Sequence, residues 1–296
     1  MNILNLEGLK TVGQVAPNTI INADCLEAMK YIADKSIDCI ICDLPYGITA
    51  CKWDTVIPFE PLWEQYKRIV KPRGAIVLFG SQPFTSALVM SNPKWFKYEW
   101  TWNKKSTAGF VNTKNKPMNT IENICVFSEG TCANKSLKRM NYYPQGLKNY
   151  NKKASYRNKP HKENTYYRKS TDNPEYIQEF TNYPRNYIEI PYQSNSIHPT
   201  QKPVALIEYF IKTYTLKDEL ILDNTAGSGT LAIAAINTDR NYICIEKDEH
   251  YFEVMRDRIE RHDPNAIKPQ PRLPKKKPIS NEYIQLSLFN DCLDGL

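Results

Sequence analysis

Over the first 130 residues, short runs rich in β-branched and aromatic residues alternate with amphipathic segments, the pattern of βα units on a mostly parallel sheet. The expected strands are Thr19 to Ala23, Ile37 to Cys42, Ala75 to Phe79, Tyr98 to Asn103 and Asn123 to Phe127. The expected helices are Leu26 to Ala33, Pro61 to Val70 and Phe84 to Ser91, the second stopped by the turn Lys71-Pro72-Arg73-Gly74. Periodicity is lost between residues 131 and 197, and the alternation resumes at His198. A helix from Pro203 to Thr213, a strand from Leu220 to Leu222, a helix from Thr230 to Asn237, a strand from Tyr242 to Ile245 and a helix from His250 to Arg261 follow. The expected organisation is therefore a catalytic domain split into residues 1–130 and 198–262, an insertion at 131–197, and a Pro- and Lys-rich linker with a tail at 263–296.

Composition sharpens this plan. The chain has 296 residues and is 41% hydrophobic, enough for one substantial core. It shows no signal-peptide pattern and no apolar run long enough to span a bilayer, so a cytoplasmic location is expected. The eight cysteines are then expected as free thiols. Cys39 and Cys42 form a C-x-x-C, but within an apolar run that reads as a strand rather than as the tight turn of a metal site, and no metal is expected. The insertion carries eight Lys and four Arg against five acidic residues, which equals the whole net charge of +7, and ten of the nineteen tyrosines. That mixture suits phosphate contacts and base stacking.

Two segments carry candidate chemistry. Asp223-Asn224-Thr225-Ala226-Gly227-Ser228-Gly229-Thr230 sits between an expected strand and an expected helix, where small residues let a ligand approach the backbone, and Glu246 ends the next strand. An acid there is suited to the hydroxyls of a ribose. A P-loop is excluded because no Gly-Lys-Ser/Thr follows, and the third glycine of a nicotinamide fingerprint is Ala232. Asp43-Leu44-Pro45-Tyr46-Gly47 ends the most apolar strand of the N-terminal half, placing an acid, a turn and an aromatic ring at the sheet's carboxyl edge.

Asp43 to Tyr46 resembles the D/N/S-P-P-Y/F hallmark of the amino-methyltransferases. His198-Pro-Thr-Gln-Lys-Pro203 and Asp223 to Thr230 resemble the motifs that precede and form the cofactor loop in the DNA-modifying branch. Chemistry motif first and cofactor motifs last is the circularly permuted order of its β-class. The resemblance implies an α/β Rossmann-like methyltransferase fold, with helices on both faces of a mostly parallel sheet and an inserted target-recognition region. It implies transfer of a methyl group from S-adenosyl-L-methionine to N6 of adenine in flipped-out, double-stranded DNA. Asp at position 43 favours that target over cytosine N4 as a family correlation.

The roles carried over by the resemblance are as follows. Asp43 and the Leu44 carbonyl accept the amino hydrogens, Pro45 shapes the turn, and Tyr46 stacks on the base. Asp24, Thr200, Lys202, Asp223, Thr225, Ala226, Gly227, Ser228, Gly229 and Glu246 bind the cofactor, with Lys202 and Thr200 on its carboxylate and Asp24 at its adenine. Lys104, Lys105, Lys138, Arg139, Lys152 and Lys153 are expected on DNA. Gln285, Leu286, Leu288 and Phe289 resemble the peptide by which replication and repair proteins dock on the bacterial sliding clamp. A homodimer is a further expectation of the resemblance. Two positions depart from the family pattern: Leu44 replaces the first proline, and Thr225 stands where an aromatic residue is common. The rival readings are a cytosine-N4 enzyme, an enzyme acting on RNA or on a glutamine amide, and a catalytically silent DNA-binding, clamp-associated module.

Overall fold

The computed structural model describes residues 1–47, 54–155, 175–192 and 201–262. Among these, nine strands form one sheet in the order β1-β2-β11-β10-β3-β4-β6-β5-β9. The six strands at one end are mutually parallel: β1 (Asn2–Asn5), β2 (Thr19–Asn22), β3 (Ile37–Cys42), β4 (Val70–Gly80), β10 (Leu220–Asp223) and β11 (Asn241–Glu246). Beyond β4 the direction reverses. β6 (Asn119–Phe127) is antiparallel to both β4 and β5 (Phe96–Ala108), and β9 (Tyr187–Glu189) pairs in parallel with β5.

Helices cover both faces. On one side α2 (Cys25–Met29), α3 (Phe59–Ile69) and α4 (Phe84–Ser91) enclose a core with Ile21, Ile40, Cys42, Leu62, Trp63 and Leu88. On the other α5 (Val204–Tyr214), α6 (Thr230–Asn237) and α7 (Glu249–Glu260) bury Cys39, Ile41, Phe210, Leu231 and Met255. All six residues of β3 are buried, which explains why its apolar run is continuous rather than alternating. Cys39 and Cys42 project into the two different cores, so this C-x-x-C presents its thiols to opposite faces and cannot ligate one ion.

Helices α4 and α6 match their expected bounds, because an apolar run ends abruptly at each end. The periodicity did not predict β1 or the seven-residue α1 (Leu6–Val12), which Asn5 caps at one end and Gly13 closes at φ +72° at the other. The expected strands at 98–103 and 123–127 are the inner parts of a longer hairpin, whose outer residues are polar and exposed. Residues 131–197 are not wholly separate from the core. Met140 is buried in it, Tyr143 N–H donates to the Thr213 carbonyl at 2.7 Å, and β9 extends the main sheet. Among the described residues, β7 (Lys148–Ser155) and β8 (Glu175–Thr181) pair apart from it, as an antiparallel ribbon.

Candidate active site

The parallel strands β2, β11, β10 and β3 end side by side, since Glu246 pairs with Asn22, Asp223 with Cys244 and Leu222 with Ile40. Two motifs 180 residues apart in the chain thus become neighbours on the carboxyl edge, where open α/β sheets bind their ligands. A cavity of about 1230 Å³ opens there, lined by the Asp43–Tyr46 turn, the glycine loop and the ends of β2 and β11. Single small-molecule sites run to about 300–1,000 Å³, so this one has room for a cofactor and a second planar group.

Asp43 is tied at both carboxylate oxygens. Oδ1 accepts the Tyr46 hydroxyl at 2.6 Å and Oδ2 accepts Lys202 Nζ at 2.8 Å. Burial raises the Asp43 pKa, and the pull of Lys202 in the other direction is shared with Glu122, so the net displacement stays upward. The Tyr46 ring packs on Phe84, centroids 4.9 Å apart and planes 27° apart, which fixes its plane. Leu44 is 3% exposed and belongs to the apolar core under α2 to α4, so the residue that replaces the family's proline anchors the turn by burial instead.

Thr225 performs an unexpected task. Its hydroxyl donates to the Asp43 carbonyl at 3.0 Å, leaving its oxygen to accept the Cys42 thiol at 2.9 Å. It thereby stitches the glycine loop to the Asp43–Tyr46 turn. Gly229 sits at φ +75°, and a Cβ there would lie 2.6 Å from Met255 Cγ, so both backbone conformation and helix packing require glycine. Glu246 accepts the amides of Gly227 at 2.7 Å and Asp248 at 2.8 Å, which orients its carboxylate at the end of β11. Asp223 accepts the Thr225 amide at 3.1 Å, and burial pushes its pKa up to about 7.

Ser228 donates to Gln201 at 3.1 Å, and Arg258 braces the loop through the Ser228 carbonyl at 3.0 Å. Ala226 is buried beneath it. Asp24 lines the cavity but is already engaged as the N-cap of α2, accepting Leu26 N–H at 3.0 Å and facing Lys247 at 3.2 Å. Thr200 lies outside the described residues, as do Gln285, Leu286, Leu288 and Phe289.

Two lysines of the cavity lining are already engaged by carboxylates. Lys202 is buried, bridging Asp43 and Glu122 Oε2, the latter at 3.1 Å. Lys104, expected on DNA, is only 13% exposed and pairs with Glu122 Oε1 at 3.1 Å, so it faces the cavity rather than the outer surface. Both follow from the reversal of β6, which brings Glu122 to the same edge as Asp43. Glu122 itself was missed by sequence reasoning. Its signal was an acidic residue inside the otherwise strand-like run Thr120-Ile-Glu-Asn-Ile-Cys-Val-Phe127. Asp54, also missed, is buried and accepts the Gly47 amide at 2.8 Å, tying down the end of the Asp43–Tyr46 turn.

The remaining basic candidates are exposed. Lys105 pairs with Glu189, Lys138 and Arg139 border the Thr131–Arg139 bridge, and Lys152 and Lys153 lie on β7, with Lys152 5.1 Å from the Tyr150 ring centroid.

The cavity wall carries eight carboxylates and three lysines. Such a lining is richer in acidic than in basic groups, which favours a cationic ligand over an anionic one. The chain matches the N6/N4 family described as DNA methylase over residues 37–257, well over half its length. It belongs to that family. The methylase is 26% identical over 307 residues to the type II methyltransferase M.HinfI of Haemophilus influenzae, covering 91% of this chain and 78% of that one. It is 28% identical over 253 residues to the DNA adenine methyltransferase YhdJ of Escherichia coli strain K12, covering 80% of each.

Its fold is similar to that of the M1.HpyAVI–SAM complex, with TM-score 0.52, 24% identity and coverage of 81% of this chain and 98% of that chain. It is also similar to the cytosine-N4-specific PvuII DNA methyltransferase, with TM-score 0.58, 15% identity and coverage of 86% and 89%. The methylase is thus an S-adenosylmethionine-dependent enzyme of DNA, and the strand carrying the Asp43 motif, β3, precedes the glycine-loop strand β10 in the chain. Among the described residues, no helix is long and apolar enough to cross a membrane, and no group of three His, Cys, Asp or Glu is placed to hold a metal ion.

Proposed function

We propose that this methylase modifies N6 of adenine in duplex DNA, on a base rotated out of the helix. The observation that carries the reading is a buried carboxylate, Asp43, tethered at both oxygens and sharing one cavity with the glycine loop and Glu246. The adenine amino nitrogen is a weak nucleophile because its lone pair is delocalised into the ring. A carboxylate retains about two lone-pair sites beyond those used by Tyr46 and Lys202, enough to accept an amino hydrogen. The Leu44 carbonyl is the second acceptor in this reading, and together they draw the nitrogen toward tetrahedral geometry. When bound, S-adenosylmethionine supplies the methyl group on a sulfonium. The Asp43 carboxylate stabilises the positive charge that develops on the amino nitrogen, and preorganised groups of this kind contribute about 3–4 kcal/mol each.

Tyr46, its plane set by Phe84, offers a stacking surface that offsets part of the cost of unstacking the base, a few kcal/mol. The exposed Lys105, Lys138, Arg139, Lys152 and Lys153 supply phosphate contacts in this reading. The likeness to the adenine enzyme of Escherichia coli supports adenine, as does Asp at position 43. The cytosine-N4 amino group is the alternative target, because the matched family spans N6 and N4 enzymes. Mass spectrometry of nucleosides from DNA incubated with the protein and cofactor decides between them: N6-methyladenine is expected, and N4-methylcytosine in its place sinks the adenine reading. Asp43→Ala is expected to abolish the product while leaving cofactor affinity, measured by calorimetry, nearly unchanged. For the tail, residues 285–289 are proposed to dock on the sliding clamp, and a peptide of residues 279–296 that shows no binding to clamp removes that proposal.

A further inference from the structure

Asp43 has a supporting apparatus that reaches beyond its own turn. Lys202, on the segment leading into α5, reaches it at 2.8 Å; Glu122, on β6, holds the same ammonium at 3.1 Å; and Lys104, on β5, holds the other oxygen of Glu122 at 3.1 Å. The Lys202 ammonium also lies 5.2 Å from the centroid of the Phe79 ring. Three chain segments remote in sequence therefore converge on one carboxylate, in the cavity assigned to methyl transfer.

We propose that Lys202 and Glu122 are a positioning pair for methyl transfer, with Lys202 holding the Asp43 carboxylate ionised and oriented, and Glu122 setting how much of that positive charge Asp43 receives. The inference rests on the amino-methyltransferase reading and adds two residues to it. Its physical basis is that a protonated Asp43 fails twice. Protonation turns one oxygen from acceptor to donor, so the carboxyl loses the capacity to hold the amino hydrogen, and it can no longer stabilise the charge that forms on nitrogen. Burial drives Asp43 toward that protonated state, and a neighbouring cation opposes it.

The titratable groups facing Asp43 are Tyr46 and Cys42 of its own segment, Lys202 before α5, Glu122 of β6 and Asp223 at the end of β10. Lys202 is the one cation among them. Its own charge is secure: burial works against it, but the two carboxylates more than offset that loss. Glu122 is likewise held ionised, because Lys202 and Lys104 together outweigh its burial. Asp43, Glu122, Lys202 and Lys104 balance to zero net charge, so this ion-pair chain is compatible with burial while Asp43 keeps its negative charge. Tyr46 from one side and Lys202 from the other also restrict rotation of the carboxylate, which a single partner does not.

The test uses the full-length protein, with kcat measured against pH on duplex DNA and cofactor dissociation measured by calorimetry. Lys202→Met is expected to lower kcat about 100-fold, to move the acid limb of the kcat profile to higher pH, and to leave cofactor affinity within about twofold. Lys202→Arg restores the charge and is expected to recover part of kcat and return the limb toward its original position. Glu122→Gln frees Lys202 for Asp43, so its acid limb is expected to move to lower pH. This second variant keeps the proposal exposed if Lys202→Met does not fold. An acid limb unmoved in every folded variant overturns the proposal. A large loss of cofactor affinity in Lys202→Met with kcat retained also overturns it, placing Lys202 on the cofactor. Absence of methylated adenine with the wild-type protein overturns instead the reading on which the proposal rests.

Discussion

Thr225→Val removes one hydroxyl from the junction between the catalytic turn and the glycine loop while conserving side-chain shape. Two bonds go: the donation to the Asp43 carbonyl at 3.0 Å and the acceptance of the Cys42 thiol at 2.9 Å. A thiol is a weak donor, so the first dominates. A carbonyl stripped of its donor costs about 1–3 kcal/mol when fully buried. Thr225 is only partly buried and lines the cavity, so water reaches the carbonyl in the variant and the cost falls to about 1 kcal/mol. For a unit of this size that lowers Tm by about 2–4 °C. Catalysis is expected to suffer more. The freed carbonyl belongs to Asp43 itself, and misplacement of a reacting group by about 1 Å costs as much as 100-fold in rate, so a shift of about half that gives a loss of about tenfold. Thermal denaturation and single-turnover methylation measure the two effects, and Thr225→Ser, which restores the hydroxyl, is expected to recover both. A valine variant with wild-type Tm and with kcat within about twofold of wild type refutes the reasoning and shows that β3 alone holds the turn.

The buried Asp223 makes stability depend on pH. Burial raises its pKa to about 7 against an ordinary value of 3.8, so the folded state favours the neutral acid. That contribution is fully present below the unfolded pKa and is lost as pH rises through the folded one. Asp223→Asn, neutral throughout, is expected to melt like the wild type near pH 4 and above it near pH 8 in the absence of cofactor; equal melting at both sinks the assignment. On the β7–β8 ribbon, the double variant Lys152→Ala and Lys153→Ala is expected to weaken DNA binding. If both lysines contact phosphates, the slope of log affinity against log salt falls by about 1.8, and an unchanged slope in a titration removes them from the interface.

The Leu44 and Thr225 positions illustrate how far motif reading reaches. Both depart from the family pattern, and as sequence they are only anomalies. In the fold each has a partner that accounts for it: Leu44 a place in the apolar core, Thr225 the Asp43 carbonyl. Glu122 was overlooked because a lone acid in a strand has no local periodicity to mark it. The contact of Lys202 with Asp43 was not legible because a Lys ahead of a helix carries no information about a carboxylate 159 residues away.

What the sequence determined by itself was whatever is encoded locally. The continuous apolar run of β3 demanded burial on both faces, the glycines between β10 and α6 demanded close backbone approach, and the acids ending β3, β10 and β11 had to reach the carboxyl edge. Tertiary structure alone decided the strand order that sets β3 beside β10, the reversal of β6 that delivers Glu122, and the buried cluster in which Lys202 turns to Asp43. The reason is physical: periodicity and turn chemistry act over a few residues, whereas pairing of buried charges depends on which distant strands become neighbours, and that is settled only when the whole sheet assembles.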